Sequence, residues 1–447
     1  MESEKLFDNK ALKRLIIPLM FEQLLAILVG LVDTVMVARA GEEAVSGVAL
    51  VDNINRLIIQ VMSALATGGA VICSQYIGKG IKREAKKAAA QLELLMVVTT
   101  IVLMGICLVA AGYILRTIFG DVEPSVMSNA ILYLKVTSLS YPFLGLYNVG
   151  AAIFRSNGNS KISLNISIIM NVINIIGNAI FVIGLHKSVF GVALATDISR
   201  VAAGLIMTVC VVSSKNPIRL DELKMLLPDM AYIRKILFIG IPSGIENGLF
   251  QVGKIMVVSM VASMGTTATA ANAVGFTIID FANIPGSAMG LALITVVGRC
   301  MGAKRSDEAV SYTKKMIRWA YYGDWICNTI LFFTCPYIAL AFNLTSGGKK
   351  ILITVLRAFA VTSLFIWPLS FTMPNSLRSA GDVRFTMIVS IFSMLIFRVG
   401  ASFLFGIVLG VGVLGVWIGM FIDWGIRSFM FTMRFANRRW LKRGSLV

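Results

Sequence analysis

Two acids stand where a polypeptide seldom tolerates them. The stretch Ile17–Gly41, IPLMFEQLLAILVGLVDTVMVARAG, has the length of one membrane crossing, yet it carries Glu22 and Asp33. An ionisable side chain at membrane depth is costly, so each acid marks a candidate functional position. On a helix their spacing of eleven residues amounts to three turns plus about 20°, which places both on one face, about 16 Å apart along the axis. A second polar set lies in NVINIIGNAIFVIG, where Asn171, Asn174 and Asn178 are separated by three and four residues. That spacing also selects one helix face. Thr196, in GVALATDISR, completes the pattern. Asp33, Asn178 and Thr196 each fall about five or six residues inside the outer end of their own apolar stretch, so three helices bring polar groups to one level. A carboxylate, amide oxygens and a hydroxyl are hard oxygen ligands, suited to a sodium ion or to a proton with ordered water. The plainer reading of Asn and Thr is interhelical hydrogen bonding. It fits Asp33 less well: Val29 and Gly30, the neighbours toward the membrane centre, offer no base.

The other intramembrane charges come with nearby counter-charges. Asp52 and Arg56, Asp197 and Arg200, and Asp423 and Arg427 lie three or four residues apart, a spacing at which each pair neutralises itself. Glu246 has Lys254 eight residues on, but about 80° around the helix, an angle that does not naturally pair them. Asp280 and Asn283 share a face of a later span.

The elements that must position these groups are membrane helices. The 447 residues are 57% hydrophobic and 14% charged, with mean hydropathy +0.82, whereas soluble domains are about 25% charged. Apolar stretches of spanning length fall at 12–38, 45–77, 91–115, 127–153, 162–185, 190–213, 235–262, 267–298, 316–342, 352–376, 385–409 and 411–433. All twelve are expected to be helical, because lipid satisfies no backbone polar group. Most of the 41 Lys and Arg residues lie in the lead segment, the tail and alternate connections, while the opposite connections hold only Arg39, Arg116, Lys187, Lys349 and Lys350. The positive-inside rule therefore puts both termini in the cytoplasm of a multi-pass protein of the cell membrane. The same rule accounts for the net charge of +18 without a nucleic-acid partner.

The chain repeats itself. Shifted by 224 residues, Ile17–Gly41 lands on Ile241–Gly265, and Ile17, Pro18, Glu22, Leu25, Met36, Val37, Ala38 and Gly41 meet identical residues. Glu22 meets Glu246, but Asp33 meets Val257. Arg155-Ser-Asn-Gly158 matches Arg378-Ser-Ala-Gly381 at 223, and Gly191-Val192 matches Gly415-Val416 at 224. The polar, basic stretch Ser213–Arg234 divides the halves. The expected architecture is an all-α polytopic membrane protein of twelve transmembrane helices. It has an amino-terminal six-helix lobe at 1–213, a cytoplasmic linker at 214–234 and a second lobe at 235–447. Parallel repeats of this kind place a substrate path between the halves.

Several chemistries are disfavoured. The six cysteines lie mostly in apolar stretches with no CxxC, so they read as small hydrophobes rather than disulfides or metal ligands. The single His186 sits in a short loop and supplies no zinc or proton-shuttle chemistry. The lead MESEKLFDNKALKR does not read as a cleaved signal.

Taken together, VDTVMVARAG, FRSNGN, LRSAGD, GVALATDISR, GVWIGMFIDWGIR and the two six-helix halves resemble the multidrug and toxic compound extrusion (MATE) family over nearly the whole chain. The resemblance implies a V-shaped pair of lobes opening alternately to each side. It also implies export of organic cations or drugs in exchange for sodium or protons, with no enzymatic step and no cofactor beyond the coupling ion. Matched residue by residue, the family's cation site falls on Asp33, Asn174, Asn178 and Thr196. There are departures: many members carry Asp where this chain has Asn178, span ten holds no acid, and the acid of span seven would fall near Phe250 or Gln251 rather than at Glu246. On this reading Glu22, Glu246 and Asp280 attract cationic substrate to a monomer surrounded by lipid. Met, Phe and Ala residues would give an adaptable apolar wall. A lipid-linked oligosaccharide flippase of a related branch is the alternative; it would line its cavity with Arg and Lys to hold pyrophosphate. A membrane-embedded enzyme finds no HExxH or Asp-rich motif here.

Overall fold

The computed structural model describes residues 5–38, 41–120, 122–213, 218, 220, 222–442 and 444–447. Arg39 and part of the linker, including Ser214, lie outside them. Eleven helices among the described residues are long and apolar enough to cross a membrane. Two expected spans are each present as a pair of helices: 127–153, and 267–298, of which only the second helix is among the eleven. Helix α1 covers Asn9–Ala38, α2 Glu42–Gly78 and α3 Lys82–Phe119. Then come α4 (Pro124–Ser138), α5 (Tyr141–Ser156), α6 (Lys161–Asn178) and α7 (Ser188–Val212). The second half follows with α8 (Met230–Ala262), α9 (Thr266–Ala282), α10 (Ile284–Gly302), α11 (Ser306–Ala341) and α12 (Ser346–Trp367). It closes with α13 (Pro374–Ser379), α14 (Val383–Phe392), α15 (Ala401–Phe403) and α16 (Val413–Ala436).

Proline explains the two internal breaks. Pro142 and Pro285 lie in the first turns of α5 and α10. Each lacks an N–H and crowds the carbonyl four residues back, so the preceding helix ends just before it. Proline is also tolerated within a membrane helix where neighbours compensate, and Pro18 and Pro242 lie inside α1 and α8.

The chain forms two compact units: Asn9–Gly244, and Ile245–Val447 together with the residues up to Asp8. The division thus falls within α8. In the amino-terminal unit α6 packs on α7, α2 on α3, and α5 on both α3 and α7. Small residues permit these close contacts, as is usual where no water drives helices together. A Cβ on Gly204 of α7 would stand 2.5 Å from the Phe143 carbonyl. The linker packs on this unit as well: buried Gln91 donates to the carbonyls of Met225 and Leu227 (2.7 and 2.8 Å) and accepts from the Asp229 N–H at 2.9 Å. Just outside the spans, Lys87 lies 2.6 Å from Asp229 and holds its carboxyl below the usual range.

In the carboxy-terminal unit Phe359, Trp417 and Trp424 anchor the core, with Trp417 donating to Asn272 at 2.9 Å. The start of the chain belongs here: the Phe7 N–H donates to the Tyr312 hydroxyl at 3.0 Å, and that hydroxyl donates to the Phe7 carbonyl at 2.9 Å. The repeat is visible in the backbone. Gly41 and Gly265, matched at 224, precede α2 and α9 with φ of 103° and 100°, conformations that only glycine adopts at little cost.

Candidate functional sites

Asp33 on α1, Asn174 and Asn178 on α6, and Thr196 on α7 form one hydrogen-bonded chain. The Asn178 amide donates to the Asp33 carboxylate at 2.9 Å and to the Asn174 carbonyl at 3.2 Å. Asn174 in turn donates to the Thr196 hydroxyl at 3.4 Å. Both asparagines are buried, and the Asn178 side-chain oxygen has no hydrogen-bond partner. An orphaned buried acceptor beside a carboxylate is the kind of group a cation or a protonated partner would satisfy. Two local features bring the chain together. A Cβ on Gly177 would lie 3.0 Å from that of Ala195, so α6 and α7 meet closely one residue from Asn178 and Thr196. Directly after Asn178 the helix widens into a π-turn, Ala179–Gly184, a feature that recurs at functional positions. Asn171 does not join; it donates to Ser167 on its own helix at 3.5 Å.

Glu22, on the same helix as Asp33, has separate partners: the hydroxyls of Tyr147 and Ser163 donate to its two oxygens at 3.2 and 3.0 Å. Arg200 donates to the Ser140 hydroxyl at 3.3 Å, while one oxygen of Asp197, its expected partner, is buried without a hydrogen bond.

The carboxy-terminal unit corrects the reading of Glu246. It does not stand as an uncompensated acid for cations. Arg378 donates to it at 2.7 Å and Arg427 lies 3.9 Å away, both from distant parts of the sequence. Arg427 lies within the field of both Asp423, its expected partner, and Glu246, while Asp423 also accepts from Ser393 at 2.6 Å and has Arg398 3.8 Å off. Arg398, missed by the sequence reading, is 1% exposed. Its only signal was a single base in the apolar run FSMLIFRVG. The second missed charge is Asp324, buried on α11, which accepts the Gly286 N–H in the first turn of α10 at 3.2 Å. A carboxylate there caps an otherwise unsatisfied donor and favours the positive helix end. Asp280 is exposed near the end of α9, and the nearby Asn283 is buried with an unpartnered side-chain oxygen.

These features define a polytopic all-α membrane protein whose sequence repeats, with different polar clusters in its two halves. The MatE family profile matches residues 18–180 and 242–404, at the same offset of 224 as the internal repeat. The chain belongs to the MATE family of membrane transporters. It is similar to the "Uncharacterized transporter YisQ" of Bacillus subtilis, 29% identical over 96% of this chain and 94% of that one. It is also similar to the "Probable multidrug resistance protein NorM" of Thermotoga maritima, 26% identical over 98% and 94%. Among solved structures it shares the fold of a MOP superfamily transporter from Pyrococcus furiosus, described as having a binding pocket of reverse polarity. The TM-score is 0.90 at 22% identity, over 96% of this chain and 95% of that one.

Proposed function

We propose that the protein is a secondary active exporter of organic cations and drugs in the cell membrane, working by alternating access of its two halves in exchange for sodium or protons. The observation that carries this reading is the Asp33–Asn178–Asn174–Thr196 chain with its orphaned amide oxygen. The donor set is a carboxylate, amide oxygens and a hydroxyl, which fits a monovalent cation or a proton. A bare carboxylate in low dielectric is the poor state, so Asp33 alternates between a cation-bound and a protonated form. If the two lobe arrangements favour different forms, ion flow and substrate flow are tied together by differential affinity. Relatives named as multidrug resistance and multidrug export proteins support drugs as the cargo class. Glu22, whose partners are hydroxyls, is the acid placed to attract cationic substrate, and exposed Asp280 adds negative charge in the second half. The flippase alternative needs a base-rich cavity for pyrophosphate. The bases Arg378, Arg398 and Arg427 of the carboxy-terminal unit stand beside Glu246 and Asp423, which leaves a net of one positive charge, too little for a pyrophosphate.

The test is efflux from proteoliposomes under a sodium gradient alone, then a proton gradient alone. One of the two should drive export by the native protein. Asp33→Asn keeps shape and hydrogen bonding but loses the charge, and should insert normally, retain drug binding and lose gradient-driven export. Native pumping rates in this variant would overturn the assignment of Asp33.

A further inference from the structure

The cluster of charges around Glu246 and Asp423 in the carboxy-terminal unit does not balance. Among the described residues, half-buried Arg378 and buried Arg398 and Arg427 face two acids, Glu246 and Asp423. The excess is one positive charge in a region where an uncompensated ion is strongly disfavoured. Lys254, half-buried with its ammonium 5.6 Å from the Phe250 ring, adds charge of the same sign at the edge. We propose that this cluster is a binding site for the carboxylate of an organic acid or zwitterion, held by Arg398 and Arg427 beside the ring of Phe250.

Hydrogen-bonding capacity supports the site independently of the charge count. Nε and Nη1 of Arg427 and Nε of Arg398 are buried without a hydrogen-bond partner, in side chains 3% and 1% exposed. The resident acids do not use these donors. Glu246 engages Arg378 through one oxygen at 2.7 Å and Asp423 engages Ser393 through one oxygen at 2.6 Å; the second oxygen of each acid is also buried without a hydrogen-bond partner, and the gap of 3.8 Å from Asp423 to Arg398 exceeds a hydrogen bond. Planar guanidinium forks match a carboxylate geometrically, and a single carboxylate cancels the one excess charge. A pyrophosphate would overshoot it.

The surroundings suit an aromatic or otherwise apolar body behind that carboxylate. Arg398 and Arg427 lie 5.1 and 5.6 Å from the Phe250 ring, and Arg427 lies 4.7 Å from that of Phe371. The two rings meet edge to face at 6.2 Å. Phe250 is itself half-buried, so the aromatic side of the cluster is its approachable side.

The repeat gives the site its logic. Read at an offset of 224, Arg398 occupies the position of Asn174. Where the first copy presents oxygens that suit a cation, the second presents a guanidinium. Arg398 lies within the π-helical segment Ser393–Gly400. The repeat offset changes from 223 to 224 between Arg378 and Gly415, an interval that includes this segment. The wider turn accommodates an added residue and alters which side chains face inward.

Calling the bound molecule cargo rests on the exporter reading; binding itself does not. The experiment is therefore equilibrium dialysis of the purified, lipid-reconstituted protein in chloride-free buffer, using 2-naphthoate and its neutral analogue 2-naphthamide, read by naphthalene fluorescence. Naphthoate should bind about tenfold tighter than the amide or better. Arg398→Gln should weaken naphthoate by about tenfold, whereas Asp423→Asn, which removes a competing acid, should strengthen it several-fold. A general loss of folding weakens both variants, so opposite signs are diagnostic. Equal binding of acid and amide, or weakening by both substitutions, overturns the proposal. Displacement of naphthoate by sub-millimolar chloride overturns it in favour of an inorganic-anion site. Intact naphthoate binding without ion-driven export of any drug sinks the exporter reading alone.

Discussion

Two glutamates at matched positions of the repeat keep different hydrogen-bond partners. Glu22 accepts hydrogen bonds from Tyr147 and Ser163, and Arg155, the repeat counterpart of Arg378, stands near Tyr147 as well. Glu246 faces Arg378 and Arg427. Their neutralised variants should therefore fail in different ways. Glu22→Gln keeps both hydroxyl contacts, so the fold should be retained while the KM for an exported organic cation rises about tenfold, a loss typical of one charge contact. Glu246→Gln leaves two buried guanidinium groups without their carboxylate, and breaking such a pair costs on the order of 3–5 kcal/mol. Thermal unfolding in lipid or detergent separates the cases: a lower midpoint is expected for Glu246→Gln and an unchanged one for Glu22→Gln. Equal midpoints would mean that the arginines find other partners and that Glu246 is a functional acid after all.

Among the elements, α16 shows how close packing positions the second-half cluster. A Cβ on Gly415 would stand 2.5 Å from the Phe405 carbonyl, and one on Gly419 would stand 2.4 Å from the Ser402 nitrogen. Four residues apart, these glycines form one smooth strip along which the preceding helical segment lies, and Ser402 donates across it to the Val416 carbonyl at 2.9 Å. Asp423 and Arg427 continue along the same helix. Gly419→Leu meets backbone rather than a flexible side chain, so the helices must separate. Overpacking of this kind costs about 1–3 kcal/mol or more. The variant should appear in the membrane at much reduced level and lose naphthoate binding, whereas Gly425→Leu on the same helix, with nothing within 4 Å of its Cβ, should be tolerated. Normal yield and binding for Gly419→Leu would show that this strip is not what aligns the cluster.

At the scale of the whole chain, orientation follows from charge. The basic residues gather in alternate connections, and the positive-inside rule then predicts both termini in the cytoplasm. In a background lacking the six native cysteines, a cysteine at Gly347, just inside the start of α12, should react with an impermeant thiol reagent added to intact cells. One at Lys442, near the chain's end, should react only after lysis. The reverse pattern would invert the protein in the membrane and exchange the inner and outer assignments of Glu22 and Asp33.

Much was legible in the sequence because membrane helices obey a one-dimensional rule. Lipid demands a continuous apolar stretch with all backbone bonds inside it, so span positions and the duplicated halves could be read directly. The Asp33, Asn174, Asn178 and Thr196 cluster was legible for a related reason: depth along a helix is proportional to residue number, and polar groups at one depth are candidates to meet. Pairing across helices is not one-dimensional. Spacing along α16 matched Asp423 with Arg427, and that pair interacts, but tertiary packing added Ser393 and Arg398 to Asp423 and Glu246 to Arg427. Arg378 reaches that same acid from 132 residues away in the chain. Sequence spacing predicts partners only where the helix itself brings them together. Which buried charges meet, and which donors stay unpaired, was decided by how α8, α13, α14 and α16 pack.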